Sequence, residues 1–328
     1  MKAIVLDGFG GPDVMRVGEA EAPVPTDHQV RVKVMATSVN RADLIQREGH
    51  YPPPKGEPDI LGLEVAGVVD AVGAAVADWH AGDRVMSLVA GGGYAQYAVV
   101  HGTHLIPVPE WMPFEEAACV SEVYITAFLN LFLIGDAKAG ETVLLHGGGG
   151  GVNTAAIQLC RNLIPDGRII VTASPAKVER VRDLGADCVI NYHEEDFAAA
   201  VRDFTRGHGA DVILDHIGAR YLTPNLKALA VEGRLVIIGL LGGSEAKLNL
   251  GHLMVKRQRI IGSVLRARSV EEKAAIVGAF RERVMPFFDR QRIVPLIHRV
   301  FPIDAVAEAH AEMEAGRHFG KIVLSMSA

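Results

Sequence analysis

Residues 142–153, Thr-Val-Leu-Leu-His-Gly-Gly-Gly-Gly-Gly-Val-Asn, constrain the fold of this chain more than any other stretch. An apolar run of strand length enters five consecutive glycines. Val152-Asn153-Thr154-Ala155-Ala156-Ile157-Gln158-Leu159 then leaves them as a good helix former. Strand, glycine turn and helix, in that order, aim backbone N–H groups and a helix N-terminus at a phosphate. Glycine is needed because a Cβ would block the approach of backbone to a pyrophosphate. The reading is a dinucleotide-binding loop; a merely flexible turn is the alternative. In the Gly-x-Gly-x-x-Gly spacing, Gly148 and Gly150 fill the first two places and Asn153 the third. The third glycine normally lets the helix pack closely on the strand. Asn153 is therefore expected to force a small shift or to turn its amide toward the ligand.

The flanking sequence supports the loop. Arg168-Ile-Ile-Val-Thr-Ala173 is a continuous apolar run, as expected of a strand inside a parallel sheet. Its end lies about 20 residues beyond the glycines, where an NAD site places Asp or Glu on the ribose hydroxyls. Here the sequence is Thr172-Ala173-Ser174-Pro175-Ala176-Lys177, with no acid. A carboxylate would repel a 2′-phosphate, whereas a hydroxyl and an ammonium would hold one. NADPH is therefore preferred to NADH. The plainer reading makes Ser174 a helix N-cap and Lys177 a solvated charge. Further strands are read at 187–192, 211–215, 233–238 and 259–265, with helical stretches such as 177–184 and 197–204 between them. Six strands separated by helices predict a doubly wound parallel sheet, with ligand at the strands' carboxyl ends.

Residues 1–120 differ. Short strands at 1–6, 29–35, 64–69, 83–88 and 94–100 alternate with Gly, Pro and Asp turns, which predicts a compact antiparallel barrel. The tail holds a helix at 270–288 and a strand at 321–324, and is too small to fold alone. The expected domains are 1–122, 123–267 and a returning segment 268–328.

Several segments are specific together: Ser38-Val-Asn-Arg-Ala-Asp-Leu-Ile-Gln-Arg-Glu-Gly-His-Tyr51, Ile60-Leu-Gly-Leu-Glu-Val-Ala-Gly67, Gly82-Asp-Arg-Val85, Gly91-Gly-Gly-Tyr-Ala95, Leu184-Gly-Ala-Asp187, Asp215-His-Ile-Gly218 and Gly320-Lys-Ile-Val-Leu324. Over essentially its whole length the chain resembles the medium-chain dehydrogenase/reductase superfamily, in its zinc-free quinone oxidoreductase branch. The likeness is greatest to the subgroup known from p53-inducible quinone reductases, including the Leu265-Arg-Ala-Arg-Ser269 region. The resemblance implies a GroES-like antiparallel β-barrel domain and a Rossmann domain with a doubly wound, parallel, six-stranded sheet. It implies that Asn40, Asp43, Arg47 and Tyr51 line the cleft near the nicotinamide. It assigns cofactor contacts to Asn40, Thr126, Gly151, Val152, Ser174, Lys177, Tyr192, Ile217, Leu240 and Lys321. The glycine turns add Gly148, Asn153 and Gly239.

Residue by residue, each role has a structural alternative. Asn40 could orient a ribose or a substrate carbonyl, or cap a turn. Tyr51 could stack on a planar acceptor and hydrogen-bond its oxygen, or pack on Pro52-Pro53-Pro54. Asp43 and Arg47, four apart, could form an ordinary helical ion pair. The superfamily's zinc-binding Cys and His positions are Asn40 and Leu63 here. Cys119, Cys160 and Cys188 form no Cys-x-x-Cys. His101 and His104 have ligand-like spacing but no evident partner, and are read as structural. No metal is expected. Without a Lewis acid, alcohol oxidation loses its activation, while hydride delivery with a proton survives.

The reading is an NADPH-dependent, zinc-independent reductase of quinones or related conjugated carbonyls. Its proton would come from Tyr51 or water. The alternatives are an enoyl reductase for an α,β-unsaturated ketone or thioester, and a non-catalytic NADPH-binding sensor or structural protein. A net charge of −6 gives a nucleic-acid partner no general support. No uninterrupted apolar run reaches about 18 residues, so no membrane span is expected. Few, scattered cysteines fit a reducing cytoplasm. The apolar edge at 260–265 is expected to pair with its copy in a homodimer.

Overall fold

The computed structural model describes residues 1–326. The chain divides into two compact units. One comprises residues 1–125 together with those from Leu265 on, and the other runs from Thr126 to Val264.

In the first unit, β1 (Lys2–Leu6) pairs antiparallel with β2 (Met15–Glu19). Then come β3 (Gln29–Val39), β4 (Glu64–Val72), β5 (Arg84–Leu88), β6 (Tyr97–His101) and β7 (Ile106–Pro107). The organiser is β3. Val30, Val32, Val34 and Ala36 point into the core at 0–2 % exposure, and Arg31 and Lys33 alternate between them. Its first half pairs with β6 and β4, and its last four residues pair with β15 (Lys321–Ser325), all antiparallel. The register sets Ile322 opposite Val39, so Lys321 arrives beside Asn40. The sheet is not wholly antiparallel: β14 (Ile297–Pro302) runs parallel to β15. Sequence reading gives neither β2 nor β14. Both are mixed-polarity strands with a single partner each, where the alternation signal is weak. The helix expected at 270–288 is two, Val270–Arg283 and Met285–Asp289, because Pro286 cannot continue the first.

The second unit holds β8 (Thr142–His146), β9 (Arg168–Ala173), β10 (Cys188–Asn191), β11 (Ala210–Asp215), β12 (Leu229–Ile237) and β13 (Arg259–Gly262). All six are parallel, in the order β10-β9-β8-β11-β12-β13. Val143, Leu144 and Leu145 are fully buried, as a central parallel strand covered on both faces requires. The strand order reverses at β8, between β9 and β11, which is where such sheets open a crevice for ligand. Two strands depart from the sequence reading. β12 begins four residues earlier, passing through Glu232 at φ 62°, and β13 ends at Gly262 rather than 265.

The segment Phe114–Ile134 is apolar and long enough to cross a membrane, with mean hydropathy 1.8. It passes on mean hydropathy, not as an uninterrupted apolar run: Glu115, Glu116 and Glu122 break it. However, 78 % of its most apolar window is buried inside the protein.

Candidate active site

The dinucleotide half of the site is built at the carboxyl end of β8. Gly147 takes φ 78°, and a Cβ there would meet the His216 ring at 2.8 Å. A Cβ on Gly148 would lie 2.5 Å from Val171 and 2.9 Å from Val181, so only glycine lets the turn lie flat on β9 and the helix Val178–Asp183. Helix Gly151–Leu163 starts at Gly150, whose missing side chain leaves the helix end uncapped. A Cβ on Gly150 would find nothing nearer than the Gly147 carbonyl at 3.6 Å. The N–H groups of the first turn, including those of Gly151 and Val152, thus border open space, which fits a pyrophosphate.

Asn153 occupies the third glycine position. Its side chain is buried and donates to the carbonyls of His146 and, at 3.0 Å, Gly147. The amide NH₂ is turned into the loop, and among the described residues Oδ1 finds no partner. Asn153 braces the turn through its amide NH₂.

Beneath the turn runs a buried polar chain that sequence reading missed. Asn225 donates to Asp215 Oδ2 at 3.2 Å, so its Oδ1 accepts from His146 Nε2 at 2.7 Å. His146 Nδ1 then accepts from the Thr172 hydroxyl at 3.1 Å, whose oxygen takes the Gly147 N–H at 3.2 Å. Burial pushes His146 down to about 3, so it stays neutral. Asp215 also accepts from the N–H groups of Ile217 and Gly218, at 2.7 and 3.1 Å. The ends of β8, β9 and β11 are thereby locked together. Gly242 N–H donates to Ile217 O at 2.6 Å, which brings the turn holding Gly239 and Leu240 against Ile217. Thr126 lies in the same unit, its carbonyl taking the Asn130 amide at 2.7 Å.

At the end of β9, Ser174 starts a short turn at Pro175–Lys177, but its hydroxyl makes no cap bond. Tyr192 is placed beside it by an N–H bond to Ala173 O at 3.4 Å. Burial, then the neighbouring Arg180 charge, holds the Lys177 ammonium below its ordinary value. Two cations kept close together beside a hydroxyl form an electropositive corner. Arg180 was not foreseen.

In the other unit, Asn40 ends β3 and caps helix Arg41–Arg47, its N–H bonding Asp43 Oδ2 at 2.8 Å. Lys321 Nζ donates to Asn40 Oδ1 at 2.6 Å and to Val39 O at 3.1 Å, and pairs with Glu64 at 3.1 Å. An ammonium only donates, so it fixes which end of the amide faces it. The Asn40 NH₂ then donates to Glu64 Oε1 at 3.0 Å. Glu64 is fully buried and also accepts from Ser38 Oγ and from the Glu122 N–H at 2.8 Å. Lys321 thus belongs to this cluster.

Asp43 and Arg47 do not form an ion pair, and neither reaches a surface. Asp43 is 0 % exposed and accepts from Asn40, Gly62 and Tyr94. Arg47, 1 % exposed, pairs with Glu314 at 2.5 Å and donates to His310 Nδ1 at 3.3 Å. His310 Nε2 therefore donates to the Tyr94 hydroxyl at 3.1 Å, which donates to Asp43 at 3.0 Å. Both are buried and held in this chain, which favours a structural role for them over the expected catalytic one. Tyr51 is half-buried. Arg266 lies over its ring at 5.0 Å and is anchored on Gln46 Oε1 at 2.7 Å and Ala90 O at 2.8 Å. His104 Nε2 donates to Val270 O at 2.9 Å, and His101 Nδ1 meets the Thr103 hydroxyl at 2.7 Å. Among the described residues no group of three His, Cys, Asp or Glu side chains could hold a metal ion.

Two expected results follow. Burial, then Arg47, pushes His310 down to about 3, well below the unfolded value of 6.5. A folded value below the unfolded one gives stability that is complete above about pH 6.5 and is lost as pH falls toward 3. Arg47 and Tyr94 contact the ring; Asp43, bonded to the Tyr94 hydroxyl and raised by burial to about 6, acts in the opposite sense but is present in both proteins. Between about pH 6 and 4, His310→Gln should lose stability less steeply than wild type, by about 1.4 kcal/mol per pH unit. Equal slopes in urea titrations would contradict this. Gly148→Ala should cost about 1–3 kcal/mol and weaken dinucleotide binding at least tenfold, because Val171 and Val181 are branched and buried. Calorimetric binding equal to wild type would count against the cradle.

Comparison with known proteins agrees with this architecture. Residues 26–110 match the alcohol dehydrogenase GroES-like domain family, and residues 151–279 match the zinc-binding dehydrogenase family. The quinone oxidoreductase of Rattus norvegicus is 31 % identical over 328 residues, covering 99 % of this chain and 97 % of that protein. The synaptic vesicle membrane protein VAT-1 homolog of Homo sapiens is 31 % identical, covering 99 % and 86 %. A mycobacterial protein solved in complex with NADPH superposes with TM-score 0.88 at 29 % identity, covering 99 % of each chain. The CurK enoyl reductase gives 0.87 at 27 % identity, covering 99 % and 98 %. Fold and relatives define an oxidoreductase built from a GroES-like and a Rossmann domain. The chain belongs to the medium-chain dehydrogenase/reductase superfamily, in its quinone oxidoreductase-like branch.

Proposed function

We propose that this oxidoreductase is NADPH-dependent, works without zinc, and reduces quinones or related conjugated carbonyls. The observation that carries the cofactor choice is the placing of Ser174, Lys177 and Arg180 at the end of β9, with no acid among residues 172–177. Bound NADPH supplies the hydride. The protein's residues bind and align. The glycine turn and the start of helix Gly151–Leu163 would take the pyrophosphate, Ser174 with Lys177 and Tyr192 the 2′-phosphate, and Thr126, Ile217, Gly239 and Leu240 the remaining contacts. Asn40, clamped between Lys321 and Glu64, presents a fixed amide to ribose or acceptor. The half-buried Tyr51 ring, held by Arg266, offers a flat face to a planar acceptor. Zinc independence is supported by Asn40 being spent on Lys321 and by Leu63 being a buried apolar side chain.

The test follows the near-ultraviolet absorbance of reduced nicotinamide with a benzoquinone, a phenanthrenequinone and a simple enone. Quinone turnover with a strong NADPH preference supports the reading. Turnover of the enone alone would move it to an enoyl reductase, in line with the CurK likeness. No turnover with any acceptor would sink it. The β13 edge and the exposed Val264 beside it support a homodimer. A monomer by light scattering would overturn that. Three unpaired cysteines, Cys119 and Cys160 buried, support a reducing compartment.

A further inference from the structure

We propose that Glu122 is the acid that delivers the proton to the acceptor, a role that rests on the reductase reading above. Glu122 lies in the first turn of helix Ser121–Phe128 and lines a cleft of about 260 Å³ that Leu63, Leu88, Arg266 and Lys273 also border. Glu122 is a neighbour of Glu64: its N–H donates to Glu64 Oε2 at 2.8 Å, and its carboxyl feels the Glu64 charge, but the surroundings of the two carboxyls differ. Glu64 is supplied with four donors: Ser38, Asn40, Lys321 and the N–H of Glu122 itself. Among the described residues, no side-chain hydrogen bond or ion pair reaches the Glu122 carboxyl. Two neighbouring carboxyls, one fully buried and one facing the cleft, do not both ionise readily. Donors surround the Glu64 carboxyl, whereas the Glu122 carboxyl, which faces the cleft, has none among the described residues, so Glu122 is the one that holds a proton.

The surrounding charges agree. Burial, and next the charge of Glu64, push Glu122 up to about 8; Asp43 adds to the rise, while Lys321 and Arg266 oppose it. Lys273, across the cleft, also feels Glu122 and is held below its ordinary value by burial. Tyr51, the donor suggested by the family likeness, is a weaker candidate: burial raises its phenol, and Glu122 raises it further. A group that holds its proton at neutral pH and can release it nearby suits general-acid work better.

The step balances. The acceptor takes two electrons and one proton's worth of hydrogen as hydride from the reduced nicotinamide. The oxygen left negative forms its O–H bond as the Glu122 O–H bond breaks. Glu122, now a carboxylate, recovers its proton from water before the next turnover.

The sign of the pH effect is fixed: an acid must start protonated, so turnover falls as pH rises through about 8. Glu122→Gln, of nearly equal volume, should lower kcat for the quinone about 100-fold and remove that alkaline limb. Tyr51→Phe should retain the limb. Infrared difference spectra from about pH 6 to 10 supply a readout free of turnover: wild type should show a protonated-carboxyl band that fades near the same pH, and Glu122→Gln should lack it. An active wild type whose limb persists in Glu122→Gln overturns the proposal and leaves the reductase reading standing. Absence of the band at neutral pH overturns it too. A wild type that turns over no acceptor at all sinks the reductase reading and this role with it.

Discussion

Lys177→Glu should raise the KM for NADPH about 100-fold while leaving that for NADH within a few fold. Lys177 stands with Ser174 and Arg180 at the end of β9, and its ammonium is partly buried. A hydrogen bond to a charged group contributes about 1.5–3 kcal/mol, and every 1.4 kcal/mol is tenfold in affinity. Replacing the cation by a carboxylate removes that contribution and sets a negative charge against the 2′-phosphate. NADH carries no phosphate there and is spared. The kinetic signature is a KM change with kcat for saturating NADPH little altered. Equal losses with both dinucleotides would place the 2′-phosphate elsewhere.

Lys321→Met should destabilise its unit by about 3–5 kcal/mol, the usual cost of stripping one partner from a buried pair. Glu64 would keep its charge at 0 % exposure with three neutral donors in place of a cation. Asn40 would lose the bond that orients its amide. Thermal unfolding should fall by roughly 10 °C. Adding Glu64→Gln should recover part of the loss, because the uncompensated charge goes with it. A drop of under about 1 kcal/mol, or no recovery in the double variant, would show that the pair is not what holds the cluster.

The parts of the molecule that could be read from sequence are those where one local rule acts alone. Arg168–Ala173 is a strand residue for residue, because a parallel strand buried on both faces must be apolar throughout. The glycine run announced its turn because backbone geometry there admits little else. Strands β2 and β14 stayed hidden for the opposite reason: each has one neighbour, and Arg16 and Glu19, or His298 and Arg299, interrupt the apolar residues without a clean alternation. The site was less legible. Asp43 and Arg47 carry a spacing that reads as an ion pair, yet each is claimed by distant residues, Tyr94 and Glu314. Glu64 did leave a signal. An acid inside Leu61-Gly62-Leu63-Glu64-Val65-Ala66-Gly67 cannot be buried without a partner, so a cation from elsewhere was implied. Which cation, and that Glu122 and Arg266 would stand nearby, depends on a register that local pattern does not encode.

The pairing of β15 with the end of β3 sets an order on biosynthesis. The bond between Lys321 and Asn40 closes across 281 residues. The unit from Thr126 to Val264 is contiguous, so all six of its strands have left the ribosome while Lys321 is still untranslated. Until then Glu64 has no cation and Asn40 no clamp. A nascent chain released early would carry a finished dinucleotide cradle and an unfinished reaction chamber, able to hold reducing equivalents but not to spend them.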